Sequence, residues 1–103
     1  MSNSKFTPGP WAYGVRDDGS IWLSLGEPLK GPHIQGDLVA TEADAKLIVA
    51  APDMIAALER AALQFRYYEE AHREKGTDES MRKAEVNAGL AYDIEQVIVK
   101  ATA

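Results

Sequence analysis

Alternating hydrophobic and polar positions predict two β-strands near the start of the chain, at residues 11–15 and 21–25. The segment between them, residues 17–20, contains two aspartates and a glycine, and glycine adopts the positive φ that a tight turn requires. The two strands should therefore form a hairpin. A weaker alternation over residues 34–40 predicts a third strand, with Gly36 as a candidate bulge.

From residue 41 onward the hydrophobic positions recur every three or four residues, which is typical of amphipathic helices. Thr41 is a suitable N-cap, and Asp44 stands at the third helical position, where an acidic side chain is favourable. Pro52 predicts a kink or a corner, because it disfavours helix at the residue before it. Gly76 predicts the end of a long helix, and Thr77 predicts the cap of a last helix that ends near residue 100.

One stripe along the long helix repeats at alternating intervals of four and three residues, which keeps its members on one face. Its members are Leu47, Ala51, Met54, Leu58, Ala61, Phe65, Tyr68 and His72. A second cluster lies on one side of the last helix, namely Val86, Leu90, Ile94, Val97 and Ile98. We expect the two stripes to form a seam, either within one chain or between chains. The same seam is a candidate surface for a homo-oligomer.

These elements predict an α+β fold in a single domain, residues 1–103, a length that suits one domain rather than two. Residues 1–10 would form a loose arm. Residues 11–40 would form an N-terminal three-stranded antiparallel sheet. Residues 41–103 would form a long, proline-kinked helical hairpin.

The composition excludes several classes of function. The net charge is −5 and no basic patch is visible, so direct binding to nucleic acid is not expected. The chain has no cysteine, which excludes disulfides, thiolate metal sites and cysteine nucleophiles. Residues 1–6 hold no apolar run that could serve as a signal peptide, and no stretch is long enough to span a membrane. We therefore expect a cytoplasmic protein that does not bind membranes.

Patterns for catalysis and metal binding are weak. Glu69 and His72 form one Glu-x-x-His step, but di-iron bundles need two such steps and two further glutamates. No serine stands in a Gly-x-Ser-x-Gly elbow. The sequence Asp17-Asp18-Gly19 lacks the twelve-residue pattern of a calcium loop. We expect no enzymatic activity, no metal and no cofactor.

The predicted hairpin and the loop after it carry the side chains that best suit a partner-binding surface. Trp22 points opposite Ile21 and Leu23 in a regular strand, so it is a candidate exposed anchor unless both faces of the sheet are covered. The acidic turn and the glycine- and proline-containing loop lie at either end of that strand. The candidate partner-binding residues are Asp17, Asp18, Trp22, Glu27 and His33.

A second candidate site lies on the long helix. Arg66 and Arg73 are seven residues apart and share a face, and Tyr67 offers an aromatic ring beside them. These three side chains could bind a phosphate or an acidic partner. The alternative is a solvated face with internal ion pairs, since Glu69 and Arg73 have the favourable i,i+4 order.

Two motifs relate the chain to a known group of proteins. Thr-Pro-Gly-Pro-Trp occupies residues 7–11, and Asp-Ala-Lys-Leu-Ile-Val-Ala-Ala-Pro-Asp-Met-Ile-Ala-Ala-Leu-Glu occupies residues 44–59. Together they resemble small bacteriophage and prophage proteins of uncharacterised function, which share a TPGPW start and an NAxLIAAAPxLLxALE-like helix. Asp44 replaces the usual asparagine, and Met54-Ile55 replaces a leucine pair. The resemblance covers residues 7–59 directly.

The resemblance implies a phage or prophage gene outside the virion core, and small accessory phage proteins often bind host factors, including defence systems. We therefore expect a non-enzymatic accessory protein that binds a host protein or protein complex, such as a component of a bacterial defence system. Two alternatives stay open. One is an oligomer that traps a nucleotide signal at its subunit junctions. The other is a structural or virion-associated oligomer.

Overall fold

The computed structural model describes residues 6–26, 33–38 and 40–103, and the chain divides into two compact units, residues 1–54 and 55–103. In chain order the elements are β1 (Trp11–Val15), β2 (Ile21–Leu25), β3 (His33–Leu38), α1 (Glu42–Val49), α2 (Ala51–Lys75) and α3 (Asp78–Thr102). This arrangement confirms an α+β fold with an N-terminal antiparallel sheet and long helices. The expectation of a single domain stays a prediction.

The regular part of the sheet is the hairpin of β1 and β2, in which Trp11 pairs with Leu25 and Val15 pairs with Ile21. Gly19 closes the turn with a φ of 87°, so the glycine stands where the turn needs it. β3 pairs antiparallel with the other side of β2, but its register shifts within the pairing. It spans residues 33–38 rather than the predicted 34–40.

α1 packs on β1 and β2 and supplies the core of the first unit. Ala45 of α1 is fully buried, and Ile21 and Leu23 of β2 are 3% and 8% exposed. All five positions of β2 are buried or half-buried, so both faces of this strand are covered. A small alanine at the contact lets the helix approach the sheet closely.

Trp22 does not project freely from the outer face of the hairpin. It lies directly across from Gly14, and a Cβ added at Gly14 would come within 2.3 Å of the indole ring. The ring therefore covers the glycine backbone of the neighbouring strand. Trp22 is half-buried by this contact, which requires the absence of a side chain at Gly14.

The start of α1 is fixed by a capping box, as the positions of Thr41 and Asp44 predict. The Asp44 N–H donates to Thr41 Oγ1 and the Thr41 N–H donates to Asp44 Oδ2, both at 3.1 Å. α1 ends at Val49, and Ala50 separates it from α2, so the expected break precedes Pro52 by two residues. Pro52 stands in the first turn of α2, where its missing N–H is tolerated.

The described part of the predicted loose arm is attached to the first unit. The ring of Phe6 meets the ring of Trp11 edge-on at 6.2 Å, and Trp11 Nε1–H donates to the Thr7 carbonyl oxygen at 3.0 Å. A Cβ at Gly9 would lie 3.1 Å from the Cβ of Pro52. The two sequence motifs therefore meet in space, because Gly9 belongs to the first and Pro52 to the second.

α2 and α3 form a helical hairpin in the second unit, with the turn where the sequence predicts it. α2 ends at Lys75, and Gly76 has a φ of 70°. Thr77 caps α3, because its Oγ1 accepts the Ser80 N–H at 3.0 Å. Ion pairs between the two helices, described below, confirm that they lie side by side.

The faces that meet in this hairpin differ from the predicted seam by one residue at several positions. Met54 and Tyr68 are 46% and 44% exposed, and Val86 and Val97 of α3 are 62% and 53% exposed. The buried or half-buried stripe of α2 consists instead of Ile55, Leu58, Ala62, Phe65, Glu69 and His72. The corresponding stripe of α3 consists of Ser80, Ala84, Asn87, Ala91, Ile94 and Ile98.

The correction has a simple physical reason. Glu69, Ser80 and Asn87 lie on the inner faces, and a search for apolar periodicity passes over polar residues. The inner faces also use alanine, which buries completely at Ala84 and Ala91 and lets two helices approach closely. Three large apolar side chains of α3, Val86, Leu90 and Val97, are left exposed on its outer faces, whereas Ile94 and Ile98 lie on the inner face.

Candidate functional site

The acidic turn between β1 and β2 is held in a defined conformation by Asp18. Its Oδ1 accepts the Ser20 N–H at 2.9 Å and the Ser20 hydroxyl at 2.7 Å. These hydrogen bonds from Ser20 lower the pKa of Asp18 below its ordinary value. Arg16 also donates to Ser20 Oγ at 3.1 Å. Asp18 therefore shapes the turn, and the turn presents two exposed acidic side chains, Asp17 and Asp18.

The other three predicted partner-binding residues do not lie together in the described structure. Trp22 lies beside the same turn but rests on Gly14, so only part of its ring faces solvent. His33 begins β3 and pairs with Ser24 of β2. Glu27 lies outside the described residues. The described part of the candidate surface is thus the tip of the hairpin, with Asp17 exposed and Trp22 half-buried.

A polar contact links β1 to the beginning of α1. The Tyr13 hydroxyl donates to Glu42 Oε2 at 2.9 Å. This hydrogen bond to a carboxylate raises the pKa of Tyr13 above its ordinary value of 10.0, because losing the proton would leave two negative charges together. The contact ties helix to strand and leaves the phenol in its neutral form at neutral pH.

The candidate ligand site on α2 is already filled by internal ion pairs. Arg66 makes a two-pronged contact with Glu95 of α3, with Nε donating to Oε2 at 3.0 Å and Nη2 to Oε1 at 2.6 Å. Its remaining nitrogen Nη1 donates to Glu69 Oε1 at 2.8 Å. A bidentate arginine–carboxylate pair has well-defined geometry. Arg66 therefore links α2 to α3 through a bidentate ion pair.

Arg73 repeats the arrangement one helical repeat later. It binds Glu69 Oε2 through Nη2 at 2.8 Å and reaches Glu85 of α3 at 3.3 Å. Glu69 thus lies between the two arginines, and hydrogen bonds from Arg66 and then Arg73 lower its pKa. The pKa of Glu95 is lowered by Arg66 in the same way. We call Arg66, Glu69, Arg73, Glu85 and Glu95 the charge cluster.

An open groove of about 510 Å³ lies against this charge cluster, lined by Arg66, Glu69, Glu70, Arg73 and Glu74. Three of these five side chains are carboxylates. A phosphate would have to displace Glu69 and Glu95 from the guanidinium groups and approach the remaining acids. Tyr67 is 65% exposed and meets the ring of Tyr68 at 6.0 Å. The geometry favours the internally paired face over a site for an anionic ligand.

The long-range members of the charge cluster could not be found from sequence spacing. Glu69 and Arg73 are visible as an i,i+4 pair, but Arg66 and Glu95 are 29 residues apart in the chain. Only the pairing of α2 with α3 brings them together. The only indication of these contacts in the sequence is the set of acidic residues on α3, because carboxylates that face α2 can pair with its arginines.

A second groove, of about 410 Å³, lies on the other side of the hairpin and is lined by His72, Glu79, Arg82, Lys83, Val86 and Asn87. His72 Nδ1 is buried and has no hydrogen-bond partner within the described part of the chain.

Over residues 6–26, 33–38 and 40–103, no group of three or more His, Asp or Glu side chains is arranged to hold a metal ion. Among the described helices, none is long and apolar enough to cross a membrane.

A family model described as Salmonella phage P22 protein Y8K6 matches residues 1–103, the whole chain. No curated protein shows a significant match. No solved structure shows one either.

Proposed function

The chain belongs to the family of Salmonella phage P22 protein Y8K6, and from that premise we propose that it is a non-enzymatic phage accessory protein that binds a host protein. The proposed site of action is the host bacterial cytoplasm. The class of partner that we propose is a host protein with a basic surface patch, such as a component of a defence system. The surface that we propose for it is the tip of the β1–β2 hairpin.

The observation that carries the proposal is the preorganised acidic turn. Asp18 Oδ1 accepts two hydrogen bonds from Ser20, which fix the loop, while Asp17 and Asp18 are both exposed at its tip. A loop that is already ordered loses little conformational entropy when a partner binds, so its contacts contribute more fully to affinity. The half-buried Trp22 beside the turn adds a rigid aromatic surface of the type that is enriched at binding hot spots.

Charge supports the same choice of partner. The net charge of the chain is −5, and an acidic protein is attracted to a basic patch over distances up to about a Debye length. Such steering raises the association rate and weakens with added salt. The nucleotide-trapping alternative has less support, because both arginines that would hold a phosphate are paired with carboxylates.

The experiment is affinity capture from host lysate followed by quantitative binding of the purified partner to three chains. The first is the unchanged chain, the second carries Asp17→Lys, and the third carries Glu74→Lys. Glu74 is an exposed acid near the end of α2, so the third variant has the same change in net charge at a distant place. We expect Asp17→Lys to weaken binding on the order of tenfold and to reduce its salt dependence. Glu74→Lys should change affinity by less than about threefold.

Each other outcome counts against the proposal. Equal effects of the two variants would mean that only net charge matters and that the hairpin tip is not the surface. A nucleotide retained without any protein would support the nucleotide trap. Presence of the chain in purified phage particles, with no host partner, would support a structural role.

A further inference from the structure

α3 carries a second regular stripe that the hairpin leaves exposed. Its members repeat at alternating intervals of four and three residues, which keeps them on one side of the helix. Every member is exposed, and together we call them the outer stripe: Glu79, Lys83, Val86, Leu90, Asp93, Val97 and Lys100. Its three apolar side chains are large and are 62%, 43% and 53% exposed, in the order Val86, Leu90 and Val97.

The outer stripe is distinct from the seam that faces α2. Leu90 and Val97 directly precede Ala91 and Ile98 of the seam, so the outer stripe lies about 100° around the helix. A seven-residue repeat with apolar side chains at its centre is the pattern of a helix that packs on another helix. The outer stripe is therefore a candidate second packing face of α3, beside the face that α2 occupies.

The second unit buries few of its side chains completely. Its buried residues, within the described chain, are Ala62, Ser80, Ala84 and Ala91, none of them large. Hydrophobic stabilisation scales with the apolar area removed from water, and alanines remove little. Most of the stability of protein helices comes from packing an apolar face rather than from helix propensity. A further helix packed on α3 would bury apolar surface that the contact with α2 leaves exposed.

The order of charges along the outer stripe favours α3 of a second copy, in antiparallel orientation, as the partner. Val86 and Leu90 lie in the middle, Lys83 lies before them, and Asp93 lies after them at the same distance. When two α3 helices run antiparallel about a twofold axis beside residue 88, Val86 of one copy lies opposite Leu90 of the second copy. Lys83 then lies opposite Asp93, and this contact occurs twice because the interface is symmetric.

The ends of the outer stripe agree with this arrangement. Glu79 falls opposite Val97 of the second copy and within one helical turn of its Lys100. A parallel arrangement would instead place Lys83 against Lys83 and Asp93 against Asp93, which is repulsive. Within one chain, Lys83 Nζ lies 3.8 Å from Glu79 Oε1 in a pair whose side chains are 56% and 74% exposed. Such a long surface pair is weak, so it does not compete strongly with Asp93.

We propose that the outer stripe binds a second copy of this chain, giving a symmetric antiparallel α3–α3 dimer with Val86 and Leu90 at its centre. Val86, Leu90 and Val97 all belong to the α3 stripe that the sequence predicted for the seam, but here they face α3 of a second copy rather than the α2 stripe. The interface is also independent of host binding, since purified chain alone should form it.

The test exchanges the two charges and measures the dimer Kd of the full chain by sedimentation velocity. Lys83→Glu and Asp93→Lys each place like charges together at two symmetric positions, so each should raise Kd on the order of tenfold or more. The double variant K83E/D93K restores opposite charges at both positions, so its Kd should return to within about threefold of the unchanged chain. A double variant that is as weak as the singles, or an unchanged chain that is monomeric at high micromolar concentration, would overturn the proposal.

A matched pair of valines separates the outer stripe from the rest of α3. Val97 and Val99 are 53% and 55% exposed and lie about 200° apart around the helix. Val97→Lys should dissociate the dimer, whereas Val99→Lys should leave Kd unchanged. Both variants should keep the helical circular dichroism of the unchanged chain at concentrations where it is dimeric. Equal effects on Kd would assign the self-association to another surface.

Discussion

The two compact units of this chain are stabilised in different ways. The first unit has a small hydrophobic core, in which Ile21 and Leu23 of the sheet pack beneath the buried Ala45 of α1. The second unit has no large buried side chain among its described residues, and its two helices are joined by alanine contacts and by Arg66 and its partners. The comparison teaches that, among the described residues, the first unit buries large apolar side chains almost completely, whereas those of the second unit are at least partly exposed.

The same difference supports a separate proposed role for each unit. The sheet unit is the more self-sufficient one, so it can present a fixed acidic turn to a partner without outside support. The hairpin has unused apolar surface on α3, and the antiparallel dimer would bury it. Four changes distinguish the two units, and they follow here from the largest expected effect to the smallest.

The largest effect should come from Gly14→Val in the first unit. A Cβ at this position would lie 2.3 Å from the Trp22 ring, so the indole must leave the strand and expose its buried face. We expect a loss of about 3 kcal/mol in the free energy of unfolding, as overpacking of a filled site produces. Urea unfolding followed by tryptophan fluorescence measures it, and a loss below about 0.5 kcal/mol would show that the Trp22–Gly14 contact is not important for stability.

A somewhat smaller effect is expected from Ala91→Leu in the second unit. Ala91 is completely buried at the α2–α3 seam, and a larger side chain there must push the helices apart. The expected loss is about 2 kcal/mol in the free energy of unfolding. Leu90→Ala, one residue away on the outer stripe, is the matched control and should weaken the dimer without separating α2 from α3. If Ala91→Leu proved neutral by helical circular dichroism, the assigned seam would be wrong.

The third change is a fall in pH. Arg66 lowers the folded-state pKa of both Glu69 and Glu95 below the ordinary value of 4.5, so these carboxylates bind fewer protons in the folded chain than in the unfolded one. Their contribution is complete above that ordinary value and is lost as pH falls through the lowered pKa. The thermal midpoint of the hairpin should therefore fall in acid, by less than Ala91→Leu causes at neutral pH.

Arg66→Gln is the control for the acid effect. It removes the first cause of both pKa shifts, so the thermal midpoint of the variant should depend less on pH in the same range. Added salt should reduce the effect as well, because the side chains of Arg66 and Glu95 are partly exposed to solvent. An unchanged pH dependence in Arg66→Gln would mean that other carboxylates control the acid response.

The smallest effect should be a gain from Gly89→Ala. Gly89 lies inside α3 and a Cβ there meets nothing within 4 Å. Alanine is better than glycine in a helix interior by roughly 0.5–1 kcal/mol, so the variant should be more stable by that amount. It is also the counterpart of Gly14→Val, because the Trp22 ring leaves no room for a side chain at Gly14, whereas the space around Gly89 is open. Thermal unfolding by circular dichroism measures the gain, and a destabilised variant would show that residue 89 is in a close contact.

Local signals in the sequence predicted the ends of the elements well. Thr41 and Thr77 cap their helices and Gly76 ends α2, because capping depends on residues within one turn of the chain. The hairpin strands were predicted with correct bounds for the same reason, since the turn around Gly19 sets the register over a few residues. Such features need no knowledge of what lies elsewhere in the fold.

Features that depend on distant residues could not be predicted. The contact between Trp22 and Gly14 requires the register of two strands, and the bond between Arg66 and Glu95 requires the pairing of two helices. The seam was displaced because Glu69 occupies an inner position that hydrophobicity alone assigns to Tyr68. For the candidate site, the role of Asp17 stays a prediction, and the turn-stabilising bonds of Asp18 appeared only in the structure.

The contrast between the two units is tested most directly by amide hydrogen exchange at several protein concentrations. Our account predicts that protection of α3 around Val86 and Leu90 increases from low to high micromolar concentration, because the dimer covers that face. Protection of β1 and β2 should stay constant over the same range, because the first unit has its own core. Protection of α3 that does not change with concentration would contradict the account.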